Sequence, residues 1–141
     1  MVAKSIDRVR AHTAPEINER INRQTDQTIA YFTQHPGQIP QRLRELDEEW
    51  DIERALETAA SGITLFGIAL SFLRGRKWLL LPIAVQSFFM QHALQGWCPP
   101  LPVLRRMGFR TEHEIERERS ALLALQEGNG NKSRSRSKAK A

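Results

Sequence analysis

Two side chains in this sequence could do nucleophilic or acid–base chemistry in an apolar setting, Cys98 and His92. A thiol reacts as the thiolate, so the redox or persulfide-accepting chemistry open to Cys98 depends on its pKa. A helix C-terminus raises that pKa, whereas Arg105 and Arg106 downstream would oppose the effect. The alternative for Cys98 is a small residue fitting a tight helix exit. His92 is, apart from Cys98 at the border, the sole titratable group in two long uncharged runs, which would let it carry protons. Its place near Trp97 also suits a polar side chain that reaches water from an interface. The acidic cluster Glu45, Asp47, Glu48, Glu49, Asp51, Glu53 and Glu57 is accompanied by no ligand-spaced His. Such acid runs are usually solvated helix faces. One cysteine excludes an internal disulfide and a multi-cysteine metal site. No nucleotide loop or catalytic triad is present, and neither a catalytic residue, a metal ligand nor a cofactor is assigned.

The elements around these residues are dominated by Thr58–Trp97. Its only charges, Arg74, Arg76 and Lys77, sit at the centre in an RGRK turn. The uncharged runs 58–73 and 78–97 would span roughly 24 and 30 Å as helices. The second is long enough for a bilayer core of about 30 Å, and the first is slightly short. Apolar residues of the first run surround the helix, and such a helix needs lipid or a large protein to cover it. The rest of the chain is too charged to offer that cover. A two-helix transmembrane hairpin follows, in which the first run serves as an uncleaved membrane signal, because MVAKSIDRVRAH has no apolar core.

Small and polar residues fall on single faces of the two helices. Ala60, Thr64, Gly67 and Ser71 form one stripe, and Ala84, Ser87, Gln91 and Gln95 the other. Small residues allow close backbone approach and intramembrane amides need partners, so the two stripes should meet within one hairpin or across a homodimer. Arg54, Trp78, Trp97, Arg105 and Arg106 are placed to sit at the membrane interfaces.

The flanking segments are polar. Thr13 and Glu16 read as a capping box opening a helix that His35-Pro36-Gly37 stops. A second helix begins near Pro40, and its stripe of Ile39, Leu43, Leu46 and Trp50 should pack antiparallel on the first. With no break signal before Thr58, that helix is expected to run on into the membrane. Pro99, Pro100 and Pro102 end the hairpin and should hold the chain extended. Thr111 caps a short, solvated surface helix, and residues 128–141 should be disordered. The net charge of +5 is concentrated in that tail, which argues against a nucleic-acid-binding fold.

The segment Trp97-Cys98-Pro99-Pro100, with Leu101, Leu104 and Gly108 beyond it, resembles the exit of the YgaP-type two-helix transmembrane domain. Arg54 matches the Arg of that family's leading segment. Glu57 stands where many members carry a second Arg, and Pro100-Leu101 replaces the usual Leu-Tyr. The resemblance covers residues 51–109 and implies a bacterial inner-membrane protein. Some members are fused to a rhodanese; no rhodanese cysteine loop is found here, so sulfur transfer does not carry over.

These observations lead to an all-α chain in four parts. Residues 1–50 form an amphipathic helical region, 51–109 the hairpin domain, 110–127 a short polar helix and 128–141 a basic tail. The expected function is a non-enzymatic membrane module that anchors or assembles partners, with membrane lipids and a second copy as its partner classes. The alternative is a thiol-dependent redox or sulfur-handling protein acting through Cys98. Both termini should be cytoplasmic. Seven arginines (42, 44, 54, 105, 106, 110 and 117) flank the spans on that side, against the three cations of the turn.

Overall fold

The structure is a computed structural model describing residues 8–138, with side chains through Asn131. The described residues are helical, with no strand among them. The helices are α1 (Arg8–Ala11), α2 (Pro15–Gln34), α3 (Ile39–Glu48), α4 (Ile52–Arg74), α5 (Leu80–Gln95), α6 (Leu101–Met107) and α7 (Glu112–Lys138). Short 3₁₀ turns, Pro36–Gln38 and Arg76–Leu79, precede α3 and α5.

Contacts divide the chain into two compact units, and neither is a contiguous piece of sequence. The first joins the described residues up to Asn18 to Trp50–Thr111; the second joins Glu19–Glu49 to the residues from Glu112 onward. A boundary at residue 50 therefore misplaces the first described segment, because Val9 belongs to the core built by Ile52, Leu56, Cys98 and Leu101.

In the first unit, α4 starts earlier than its uncharged run. Asp51 is its N-cap, its Oδ1 accepting the Arg54 backbone N–H at 2.7 Å. This cap separates α4 from α3, so the expected continuous helix is broken at Glu49–Asp51. Ile52 N–H also donates to the Arg110 carbonyl (2.9 Å). α4 has 23 residues, or about 35 Å of helix. α5 has only 16, because Arg76–Leu79 winds as a 3₁₀ turn before it. Together that turn and α5 cover about 32 Å. Pro82 is tolerated in the first turn of α5, where its missing N–H would have had no intrahelical acceptor. The prolines after Cys98 do not hold the chain extended. Pro100 is the N-cap residue of α6 and Pro102 sits in its first turn, where a fixed φ favours helix initiation.

The second unit has its own core of Phe32, Ile39, Leu46, Ile115 and Leu122, with Leu43 and Leu125 against it. The expected α2–α3 pair is thus completed by α7, which is no isolated surface helix. Its charges lock onto both neighbours. Glu118, fully buried, accepts from Arg42 Nε (2.8 Å), Arg119 pairs with Asp47, and Arg117 donates to Asp26 (2.8 Å). Donating this hydrogen bond to Asp47 raises the Arg119 pKa above its ordinary value. α7 continues to Lys138, so most of the tail expected to be disordered is helical. Propagating an established helix costs far less than nucleating one. Residues 139–141 lie outside the described residues.

Candidate functional site

α4 and α5 pack against each other through part of the expected stripe. Ala60 and Gly67 are buried, and the half-buried Thr64 accepts a hydrogen bond from Gln86 Nε2 at 2.8 Å. Ser71, half-buried, donates to Ile68 within its own helix. The α5 half of the pairing is different. Ala84, Ser87 and Gln95 are exposed, Gln91 is half-buried, and Ser87 donates to its own Ile83 carbonyl. Pro82 and Gln86 instead face α4, with Val85 and Phe89 half-buried and His92 buried further along. The Gln stripe does not meet the small stripe. The spacing of small and polar residues on α5 therefore points to the wrong side; its apolar residues are distributed evenly round the helix, and the close fit of Pro82 to Gly67 sets the buried side.

His92 is 7% exposed, so it is not presented to water as its position suggested. Its ring lies parallel to that of Phe89, centroids 6.4 Å apart, and its Nδ1 has no hydrogen-bond partner. The chain turns sharply just beyond it. Gly96 adopts a left-handed φ of 75° and returns its N–H to the His92 carbonyl (2.6 Å). Arg8 packs directly on Gly96, leaving no room for a Cβ, and its Nη1 caps the Ala93 carbonyl (2.6 Å). The N-terminal segment thus closes the end of α5.

Arg105 is the largest departure from expectation. Placed at the membrane interface by the sequence, it is 0% exposed. Its Nε donates to Thr13 Oγ1 (3.2 Å), Nη1 to the Phe109 carbonyl (3.0 Å) and Nη2 to Asn18 Oδ1 (2.8 Å). Thr13 does not act as the expected capping-box residue. Its hydroxyl donates to the Val9 carbonyl (2.7 Å) while accepting from Arg105. Asn18 Nδ2 in turn donates to the Arg10 carbonyl (2.9 Å). This polar knot fastens α6 to the chain around α1. No local motif marks it, because its members are nearly ninety residues apart. The other interface candidates are more accessible. Arg54 and Arg106 are exposed, Trp97 is partly exposed, and Trp78 is half-buried in the 3₁₀ turn. The Arg54 guanidinium stacks on Trp50, 4.7 Å from the ring centroid.

Cys98 is 3% exposed and forms part of an apolar cavity of about 460 Å³ between α4, α5 and α6. Burial pushes its thiol pKa up, partly offset by a hydrogen bond from the Leu101 backbone N–H. The thiol is therefore neutral at pH 7, the opposite of an activated nucleophile. Because its folded pKa lies above the unfolded one, its contribution to stability is present at neutral pH. That contribution is lost as the pH rises through the folded value. A water-soluble maleimide should label Cys98 in the native protein at pH 7 at least about tenfold more slowly than a free cysteine, and at the free rate after unfolding. Native labelling at the free rate would show an accessible thiolate.

The acidic run is dispersed: Glu45 bonds to Arg42, Asp47 to Arg119, and Asp51 caps α4. No protein-family model, curated protein or solved structure matches this chain.

Proposed function

We propose that the protein is a non-enzymatic integral membrane module whose α4 and α5 cross a bilayer as a hairpin, while its charged helices remain in water as an anchoring or assembly surface. The observation that carries this reading is a belt of large apolar side chains left uncovered on both helices. Phe72 and Leu73 are 86% and 81% exposed, and Leu65, Phe66, Leu80, Ile83, Met90 and Leu94 join them. Soluble monomers rarely leave apolar patches larger than a few hundred Å² in water. The segment ending at Arg74 is long and apolar enough to cross a membrane, and only 17% of its most apolar window is buried. A soluble core helix would be mostly buried. The YgaP-type resemblance at Trp97–Gly108 supports a bacterial inner membrane. The buried, neutral thiol of Cys98 favours this reading over the thiol-dependent one.

Detergent extraction compared with carbonate washing tests it. The full chain should resist alkaline carbonate and dissolve only in detergent; release by carbonate alone would reject membrane integration. Orientation has a separate readout. The arginine excess flanking the spans places both termini in the cytoplasm, so a reporter active only outside the cytoplasm, fused after Ala141, should stay silent. A strong signal would invert the topology.

A further inference from the structure

We propose that the groove walled by α4, α5 and α6 holds one acyl chain of an anionic phospholipid. The proposal rests on the membrane reading above and names the ligand of a particular site within it. Ala55 and Ala59 on α4 are too small to fill the space between Phe88 of α5 and Val103 of α6, which leaves the cavity of about 460 Å³. That volume falls within the usual range for small-molecule sites, about 300–1,000 Å³. Its lining is apolar almost throughout, and Cys98 supplies only a weak S–H donor. Nothing in it could orient a nucleotide, a sugar or a metal ion. A flexible hydrocarbon chain requires no such polar contacts.

Access and charge agree with a lipid. Ile63 and Phe88 line the groove and also belong to the exposed apolar belt, and Val103 is exposed at its edge. The groove therefore opens sideways onto the surface assigned to bilayer contact, and a chain can enter without passing through water. Arg106 lies one turn beyond Val103 and is exposed. It puts positive charge at the α6 edge of the groove, where a headgroup would sit, and anionic lipids are drawn to such sites.

The test uses the full chain in mixed phosphatidylethanolamine–phosphatidylglycerol vesicles, extracted in mild detergent and weighed by native mass spectrometry. The wild type should keep one phosphatidylglycerol per chain. Ala59→Leu, which fills the groove from an exposed position, should reduce retention about tenfold, as expected when about two methylene contacts are lost. Arg106→Gln should keep the lipid but erase the preference for phosphatidylglycerol. If Ala59→Leu does not fold, the wild type decides through Cys98 in the groove wall. Phosphatidylglycerol should slow labelling of that thiol by an apolar maleimide, whereas phosphatidylethanolamine alone should do so less. Equal retention in wild type and Ala59→Leu, labelling unaffected by lipid, or a groove filled by a second copy and detected by Val103→Cys cross-linking would each overturn the proposal. Release of the wild type by carbonate rejects the membrane reading itself. An integrated protein that retains no lipid rejects only the groove.

Discussion

Arg105→Ala should lower the unfolding midpoint of the detergent-solubilised protein by on the order of 10 °C. The substitution leaves Thr13 Oγ1, Asn18 Oδ1 and the Phe109 carbonyl without the donors they now have, at 3.2, 2.8 and 3.0 Å. Stranding buried polar groups costs about 1–3 kcal/mol each, so a total of roughly 3–5 kcal/mol follows once partial relaxation is allowed. Lysine should not rescue the loss, because a single ammonium cannot reproduce a planar fork reaching three acceptors. Arg106→Ala, the exposed neighbour on the same helix, should fall within about 0.5 kcal/mol of wild type. If Arg105→Ala and Arg106→Ala melted together with the wild type, the polar knot would not hold α6 in place.

Gly67→Leu should separate α4 from α5. A Cβ at Gly67 would come within 2.6 Å of Pro82 Cδ and 3.4 Å of Leu81 Cδ2. Pro82 cannot rotate out of the way, since its ring is closed onto the backbone of α5. The helices must part, breaking the Thr64–Gln86 hydrogen bond as well. Overpacking of this kind costs about 1–3 kcal/mol, and more where the neighbour is rigid. The variant should show accelerated amide exchange along both helices and a lower melting point. Ile68→Leu, one position along and 38% exposed, should behave as wild type. Unchanged exchange in Gly67→Leu would mean that the α4–α5 contact does not depend on close approach at this glycine.

The helical class and most element positions were legible because their causes are local. His35-Pro36-Gly37 stops α2, the RGRK turn separates α4 from α5, and Gly96 with the prolines ends α5; backbone sterics within a few residues decide each of these. The small stripe Ala60–Thr64–Gly67 was also readable, since small side chains at helical spacing permit close approach whichever helix arrives. Local signals nevertheless carry second meanings at Thr13, whose hydroxyl serves Val9 and Arg105 and not a capping box, at Asp51 and at the prolines after Cys98. Asp51 is an ordinary N-cap residue, although it sits within an acid run of the kind that usually marks a solvated face. The prolines after Cys98 were read as breakers although they also suit a first helical turn.

Long-range partners were decided only by the tertiary structure. The stripe Ala84–Ser87–Gln91–Gln95 points to the wrong face of α5, because apolar residues are spread all round that helix; the fit of Pro82 against Gly67 chose the buried face. Arg105 looked like a headgroup contact because an arginine beside an apolar run usually is one, and its burial depends on acceptors supplied by Thr13 and Asn18 from the far end of the chain. α7 looked like a solvated helix because Arg117, Glu118 and Arg119 alternate in charge, yet each finds its counter-ion on α2 or α3. The groove beside Cys98 is invisible in the sequence for the same reason. A cavity is the volume that three helices leave unfilled, and no single helix encodes it.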